Sequence, residues 1–374
     1  MRNVKLPIEY QKCTGCGVCA NICVHNAIEM SSEDKEGFRY PAINQNCIDC
    51  GRCREYCPQN NPIKSNEEQE AYAAFTLCAE IRKASSSGGI FYELAKCTID
   101  GGGVVCGAAY DEELYVKHKI VTDEDGIHDL MVSKYMQSDT DDIYAKVAGE
   151  LKNGKKLLFS GTPCQVHGLK MYLDSFRIEC EGLITVDLLC FGIPSPKAAH
   201  RCMKEVEREY QKRIKYVTLK DKTYGWHAQK TKYIFEDDSW FIIEDYKKDY
   251  FAKAFLEDKF ALRRSCFECK YKAADRTSDI TIGDFWRIKD KEMDDNKGTS
   301  AVLIHSKKGR KLFQKLIDDE RIKYKRCKPD DIIAGNPNAF GNRFSFEAEK
   351  REYFWKLLEK ESFATAVTLA GKME

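Results

Sequence analysis

The sequence predicts a two-part chain: a small cysteine-rich α+β unit at the N-terminus, then a larger α/β unit with a central mixed sheet. Three observations carry this expectation. Cysteines recur at a fixed spacing within residues 1–62. Strand-like and helix-like stretches alternate from about residue 71 to 330. The polar, charged segment NPIKSNEEQEA (61–71) separates the two. The expected organisation is a cysteine-rich domain at 1–62, a linker at 63–70, the α/β domain at 71–340 and a helical tail at 341–374. A chain of 374 residues suits two or three such domains.

The N-terminal unit rests on CTGCGVCANICV (13–24), which places four cysteines in eleven positions. The spacing Cys13, Cys16, Cys19, Cys23 recurs as Cys47, Cys50, Cys53, Cys57, offset by 34 residues. Such a run ligates a [4Fe–4S] cluster, with the fourth ligand of each cluster supplied by the other half. Cys13, Cys16, Cys19 and Cys57 are therefore assigned to one cluster, and Cys47, Cys50, Cys53 and Cys23 to a second. This is a bacterial-type dicluster ferredoxin arrangement. Gly15, Gly17 and Gly51 suit a backbone that curls its amides toward the cluster. Two zinc sites are the competing reading, since thiolate quartets also bind zinc. Val24 stands where proline is usual and removes no ligand.

Eighteen cysteines favour metal ligation over disulfides in a chain whose start, MRNVKLPIEYQKC, does not resemble a signal peptide. The longest apolar run, 183–193, is too short to span a bilayer and contains Asp187. A cytoplasmic protein without a membrane span is expected. Exposed low-potential clusters are generally oxygen-sensitive, which points to an anaerobic host. Sixty basic and 59 acidic side chains leave a net charge of +1, so neither nucleic acid nor an anionic membrane is an expected partner.

In the larger unit, AYAAFTL (71–77) reads as a strand, and SSSGG opens a helix with apolar spacing, GIFYELAKCTI. GVVCGAAY (103–110) and YVKHKIV (115–121) read as strands. DDIYAKVAGELKNG (141–154) reads as a helix ending at Gly154, followed by the strand KKLLFS. LITVDLL and DITIGDFW are further strands, and VTLKDKTYGWHAQKTKYIFED suggests a hairpin. The tail is expected to cover the sheet or a partner.

Ten cysteines lie outside the repeat. Cys97 and Cys106 fit core packing, and Cys78, Cys180, Cys202 and Cys327 lack partners at ligand spacing. Cys164 and Cys190 each follow a buried strand, while Cys266 and Cys269 form a CxxC pair. Residues just beyond strand ends of an open α/β sheet converge on one crevice, so these four could hold a third [4Fe–4S] cluster. A redox cysteine, a disulfide switch or half a zinc site are together equally compatible with the spacing. Ser85-Ser86-Ser87-Gly88-Gly89 before a helix suits a phosphate at a helix N-terminus, or simply a helix cap. No GxGxxG follows a strand, so a Rossmann NAD site is not supported. Lys220, Lys222 and Lys230, interleaved with Tyr224 and Trp226, could clamp a planar anion; the simpler reading is one solvated hairpin face.

The motifs SSSGGIFYELAK, SKYMQSD (133–139), GTPCQVHGLK, DLLCFGIPSPKA, KDKTYGWH and RTSDITIGDFW together resemble the coenzyme F420 hydrogenase/dehydrogenase beta-subunit family, over roughly residues 71–340. The resemblance implies noncovalent FAD with a [4Fe–4S] cluster beside it. It makes Ser85, Ser86, Ser87, Gly88, Gly89, Lys134, Gln137 and Ser138 flavin contacts. Gly161, Thr162 and Gln165 would flank the isoalloxazine or the cluster, and Cys164, Cys190, Cys266 and Cys269 become its ligands. Many relatives carry histidine where this chain has Phe191. His167 and His227 are then alternative proton carriers, and Lys222 and Trp226 further catalytic candidates, although surface or packing roles compete for each.

The function so implied is a flavin-dependent iron–sulfur oxidoreductase. It would couple one-electron transfer through [4Fe–4S] clusters to hydride chemistry at FAD on a small organic substrate. Its partner would be a ferredoxin or another redox protein, and a homo-oligomer or membership of a larger complex is expected. Two alternatives stand beside it: an F420H2 dehydrogenase oxidising reduced coenzyme F420, and a non-catalytic relay subunit.

Overall fold

The repeated cysteine spacing reappears as repeated backbone. In the computed structural model, which describes residues 6–31, 34–63, 69–341 and 344–373, two short helices, Val18–Asn21 and Arg52–Glu55, stand at equivalent places in the repeat. Each is entered through a glycine in the left-handed region, Gly17 at φ 76° and Gly51 at φ 77°. A side chain at either position would strain the turn that presents the cysteines. Between the helices, β1 (Ile28–Ser31) and β2 (Tyr40–Ile43) form an antiparallel ribbon. The expected linker at 63–70 lies largely outside the described residues, at 64–68.

The main sheet has eight strands: β3 (Glu70–Thr76), β4 (Val104–Tyr110), β5 (Val116–Val121), β6 (Leu157–Gly161), β7 (Leu183–Leu188), β11 (Ile280–Asp284), β12 (Ser300–Ile304) and β13 (Ile322–Cys327). Their order is β13-β3-β12-β11-β7-β6-β4-β5. Strands β4, β6, β7 and β11 run parallel, with antiparallel strands on both sides. The burial pattern explains the order. LLFSG in β6 is buried throughout, as a central strand covered on both faces must be. VKHKIV in β5 largely alternates, and IKYKRC in β13 exposes its lysines; both are edges.

Alternate strand residues face two cores. Val105, Leu158 and Ile280 pack with the helices Ile90–Asp100 and Lys307–Asp318. Val104, Cys106 and Phe159 face the other way, toward the helices Ile143–Lys152 and Pro163–Ser175. Cys16, Val18 and Ile22 belong to this second core, so the cysteine-rich unit is seated on that face. Cys97 and Cys106 are buried core thiols.

The expected hairpin forms as β8 (Ile214–Asp221) and β9 (Lys230–Phe235), with β10 (Trp240–Ile242) completing a separate three-stranded sheet. The tail is helical at Ala348–Leu358 and Phe363–Gly371. It packs with the helix Pro196–Tyr210 and the small sheet, not on the eight-stranded sheet. Its buried Phe354, Phe363 and Val367 meet Val217, Tyr233 and Phe235. Among the described residues no helix is long and apolar enough to cross a membrane.

Candidate iron–sulfur and cofactor site

All eighteen cysteines are free thiols, and twelve of them gather into three groups. Cys13, Cys16, Cys19 and Cys57 are buried. Burial pushes the Cys19 thiol well up, and repulsion from Cys16, Cys13 and Cys57 adds to it. Burial likewise raises Cys57, against the amides of Gln59 and Asn60 that point at its sulfur. Cys23, Cys47 and Cys53 are half-buried and Cys50 is exposed. Burial raises Cys53; Arg54 opposes the shift, and Cys50, Cys23 and Cys47 reinforce it. The Ala27 and Asp49 amides donate to the Cys23 and Cys47 sulfurs, both at 3.4 Å. Around this group Val24 and Ile48 are exposed at the rim of a small cleft.

The third group comes from three loops. Thr162 caps the helix Pro163–Ser175, its side chain and that of Gln165 forming a capping box, and Cys164 sits in the first turn. Cys190 follows β7, and Cys266 ends the short turn Arg264–Cys266. Burial pushes Cys190 well up, with Cys266, Cys164 and Cys269 adding and Lys272 opposing. Burial takes Cys266 up to about 12, and Cys269 adds to it. Burial takes Cys164 up to about 11 against the Thr162 hydroxyl, 3.2 Å away.

These surroundings fit clusters. Backbone amides aim at sulfurs in all three groups. Beside the third group, the buried Nζ of Lys272 and the Nε and Nη2 of Arg276 lack any hydrogen-bond partner, although both charges act on Cys269. Buried cations left unpaired are costly unless a negative group faces them, and a thiolate-ligated cluster is such a group. Among the described residues, no three His, Cys, Asp or Glu side chains are gathered to hold a single metal ion.

Cys190 also lines a cavity of about 270 Å³ at the carboxyl ends of the parallel strands. Its wall includes Ser85, Ser86, Ser87, Gly89, Lys134, Ser138, Gly161, Thr162 and Gln165. Gly88 and Gln137 are not part of the wall. A Cβ at Gly88 would lie 2.5 Å from the Ala74 carbonyl and 2.7 Å from the Ser300 nitrogen, so the loop is wedged against β3 and β12 there. Gln137 Nε2 donates to the Gly15 carbonyl at 3.1 Å, placing the side chain against the N-terminal unit. The serine hydroxyls are engaged by protein. Ser85 Oγ donates to the Ile81 carbonyl (2.7 Å), Ser87 Oγ to the Thr299 carbonyl (2.9 Å), and Ser86 Oγ accepts from the Ser133 amide (2.9 Å). Lys134 Nζ donates to the Asp129 and Met131 carbonyls, and burial lowers its pKa to about 7.

The catalytic candidates are dispersed. His167 is buried with Nδ1 2.9 Å from the Tyr271 hydroxyl, and His227 lies 2.7 Å from Asp294 near the surface. Trp226 is fully buried, stacked on Trp286 at 4.7 Å, and its Nε1 donates to Asp284 at 3.1 Å. Neither Lys220 nor Lys222, both expected on a solvated hairpin face, lies on one. Lys220 pairs with Asp284 at 2.9 Å, their side chains only 15% and 13% exposed. Lys222 Nζ donates to the Ser87 carbonyl at 3.0 Å, bracing the serine loop; burial lowers its pKa to about 8. Tyr224 is exposed and bonded to Glu244.

Sequence reasoning missed His118 and Asp284, both in the cavity wall. His118 Nδ1 lies 2.7 Å from Ser138 Oγ and Nε2 3.1 Å from the Ser160 carbonyl; burial lowers its pKa to about 4. The usable signal is the alternation in VKHKIV, which puts His118 on the face of β5 shared with Val116. Phe191 is also in the wall, its ring 5.3 Å from Phe255 and 4.9 Å from Phe344.

Comparison with known proteins agrees with this layout. Residues 12–61 match the 4Fe-4S dicluster domain. Residues 154–330 match the C terminus of the coenzyme F420 hydrogenase/dehydrogenase beta subunit. A chain from the F420-reducing [NiFe] hydrogenase complex of Methanosarcina barkeri is similar in structure at 15% identity, with a TM-score of 0.49, covering 75% of this chain and 91% of that one. No curated protein matches. The cysteine repeat and the mixed sheet with its crevice thus fall within the two matched regions, and the chain belongs to the coenzyme F420 hydrogenase/dehydrogenase beta-subunit family, carrying that C-terminal domain behind a 4Fe-4S dicluster domain.

Proposed function

We propose that the chain is a flavin-dependent iron–sulfur oxidoreductase. It would join hydride chemistry on a small organic substrate in the cavity to one-electron exchange with a ferredoxin-type partner at the N-terminal unit. One observation carries this reading: the thiol groups form an unbroken series leading away from the cavity. Cys190 is in the wall, Cys164 acts electrostatically on Cys16, Cys19 feels Cys53, and Cys50 is exposed.

FAD, when bound, supplies the exchange between hydride and single electrons. The chain's own residues do the rest. The serine loop and Gly161-Thr162 would receive the cofactor along the cavity wall. Lys222, tied to the Ser87 carbonyl, holds that loop in place. His118 stays neutral near pH 7, so it presents a hydrogen-bonding imidazole without adding charge. Phe191 gives an apolar surface that excludes water and suits a planar ring. The Lys220–Asp284 pair, held by Trp226, is a polar edge that can orient a substrate.

The family match favours one specific version, in which reduced coenzyme F420 is the hydride donor. Anaerobic purification followed by flavin and iron counting tests the general reading, with about one flavin per chain expected. Iron without flavin would defeat both enzyme readings and leave an electron relay. Addition of F420H2 tests the specific one: the flavin absorbance should bleach, and an unchanged spectrum eliminates F420.

A further inference from the structure

Arg263 is fully buried, and its two ends belong to different parts of the molecule. Its backbone lies in the loop of the cavity thiol group: the Cys266 amide donates to its carbonyl at 2.9 Å, and its own amide donates to the Ile193 carbonyl at 2.8 Å. Its side chain enters the N-terminal unit. Nε donates to the Cys13 carbonyl at 2.9 Å, Nη2 to the Arg39 carbonyl at 2.9 Å, and Nη1 to Gln137 Oε1 at 2.7 Å. The guanidinium lies 4.2 Å from the Tyr40 ring and 5.2 Å from the Phe38 ring. The Gly15 backbone is closed onto it, since a Cβ there would stand 2.9 Å from Nη1.

All three hydrogen-bond acceptors of this guanidinium are neutral oxygens. An arginine does not lose its proton in a protein, so a full positive charge is fixed here. Burying it without a carboxylate is unfavourable unless another anion lies close. The thiols qualify: burial opposes the charge, while Tyr40, Cys13, Cys266 and Cys164 support it. Cys13 belongs to the first N-terminal group, and Cys164 and Cys266 to the group beside the cavity.

We propose that Arg263 is a positioning residue shared by two thiolate sites: its permanent charge, locked between Cys13 and Cys266, favours the more negative state of both sites together. This rests on the reading that Cys164, Cys190, Cys266 and Cys269 hold a third cluster. The outer group, Cys23, Cys47, Cys50 and Cys53, contributes nothing to the charge at Arg263 and serves as an internal control. A purely mechanical strut would change stability and leave the potentials alone.

The test uses the anaerobically purified whole chain as wild type, Arg263→Met, Arg263→Lys and Gln137→Glu. Iron counting of the wild type comes first. About twelve iron atoms per chain support three clusters; about eight defeat the third-cluster reading, whatever Arg263 does. Redox titration followed by electron paramagnetic resonance then reads the potentials. In Arg263→Met, the two sites flanking Arg263 should shift to lower potential and the control site should stay. Arg263→Lys should hold both near wild type while melting at lower temperature. Gln137→Glu keeps the side-chain size and sets a carboxylate against Nη1, so it should lower the same two potentials even if the methionine variant does not fold. Unmoved potentials in Gln137→Glu, or a lysine variant that shifts as far as methionine, would overturn the proposal.

Discussion

The N-terminal cysteines and the cavity cysteines make the same kind of thiol group by opposite routes. In the repeat, three of four positions lie within seven residues of one another, and a glycine-initiated turn presents them. Beside the cavity, Cys164, Cys190 and the CxxC pair are brought together from loops as much as 105 residues apart, by β6, β7 and the segment before β11. The first kind of site is a property of a local loop. The second is a property of the sheet, and it inherits the buried environment of the sheet's crevice. Exposure follows: Cys50 is at the surface, whereas the thiols of the crevice sit among unpartnered cations.

The largest expected effect separates the two groups by iron content and stability. Cys190→Ser should reduce iron from about twelve to about eight atoms per chain. It should also lower the melting temperature, because Lys272 and Arg276 would then be buried without an anion. Cys50→Ser should lose a similar amount of iron with a much smaller change in melting, since its surroundings are wet. Equal losses of melting temperature in the two variants would erase the distinction drawn between local and assembled sites.

A middle-sized effect sharpens the contrast through pH. His118 is neutral in the fold because burial lowers its pKa from 6.5 to about 4. The unfolded chain therefore binds the proton more readily. Stability should be fully present above pH 6.5 and lost as pH falls toward 4. The change is on the order of 3 kcal/mol for this one group. His118→Asn should flatten the decline measured by chemical denaturation between those values. An unchanged slope would mean that other buried groups, such as His305, whose pKa burial lowers to about 3, dominate the acid limb.

The smallest effect concerns Val24, which is 64% exposed at the rim of the outer cleft. Val24→Pro should change stability by less than about 0.5 kcal/mol and leave iron content alone. A larger loss on denaturant titration would show that this turn needs the flexibility proline removes.

Legibility in the sequence follows the range of the interactions. The cysteine repeat, the strands β3 to β7 and the helix Ile143–Lys152 are readable because each depends on neighbours a few residues away. Strands β12 and β13 and the helix Lys307–Asp318 escape such a reading, since the places of the strands in the sheet depend on pairing with β3 and β11. The lysines of the hairpin show the same limit. Their spacing suggests a wet face, yet Lys220 and Lys222 turn inward because Asp284 and the Ser87 carbonyl, supplied by distant segments, accept their hydrogen bonds. Gln137 reads as a cofactor contact from its motif and instead joins Gly15 and Arg263.

By itself, the sequence determined that two thiol quartets exist and how they divide, because three ligands of each lie in one tight turn and the turn geometry is local. It also determined the α/β character of the remainder through hydrophobic periodicity. Only the tertiary structure decided which residues share the cavity, that Phe191 and His118 line it, and that a buried arginine joins the two thiol sites. Those relations are contacts between segments remote in the chain, fixed by sheet order and packing, and no short window of sequence carries them.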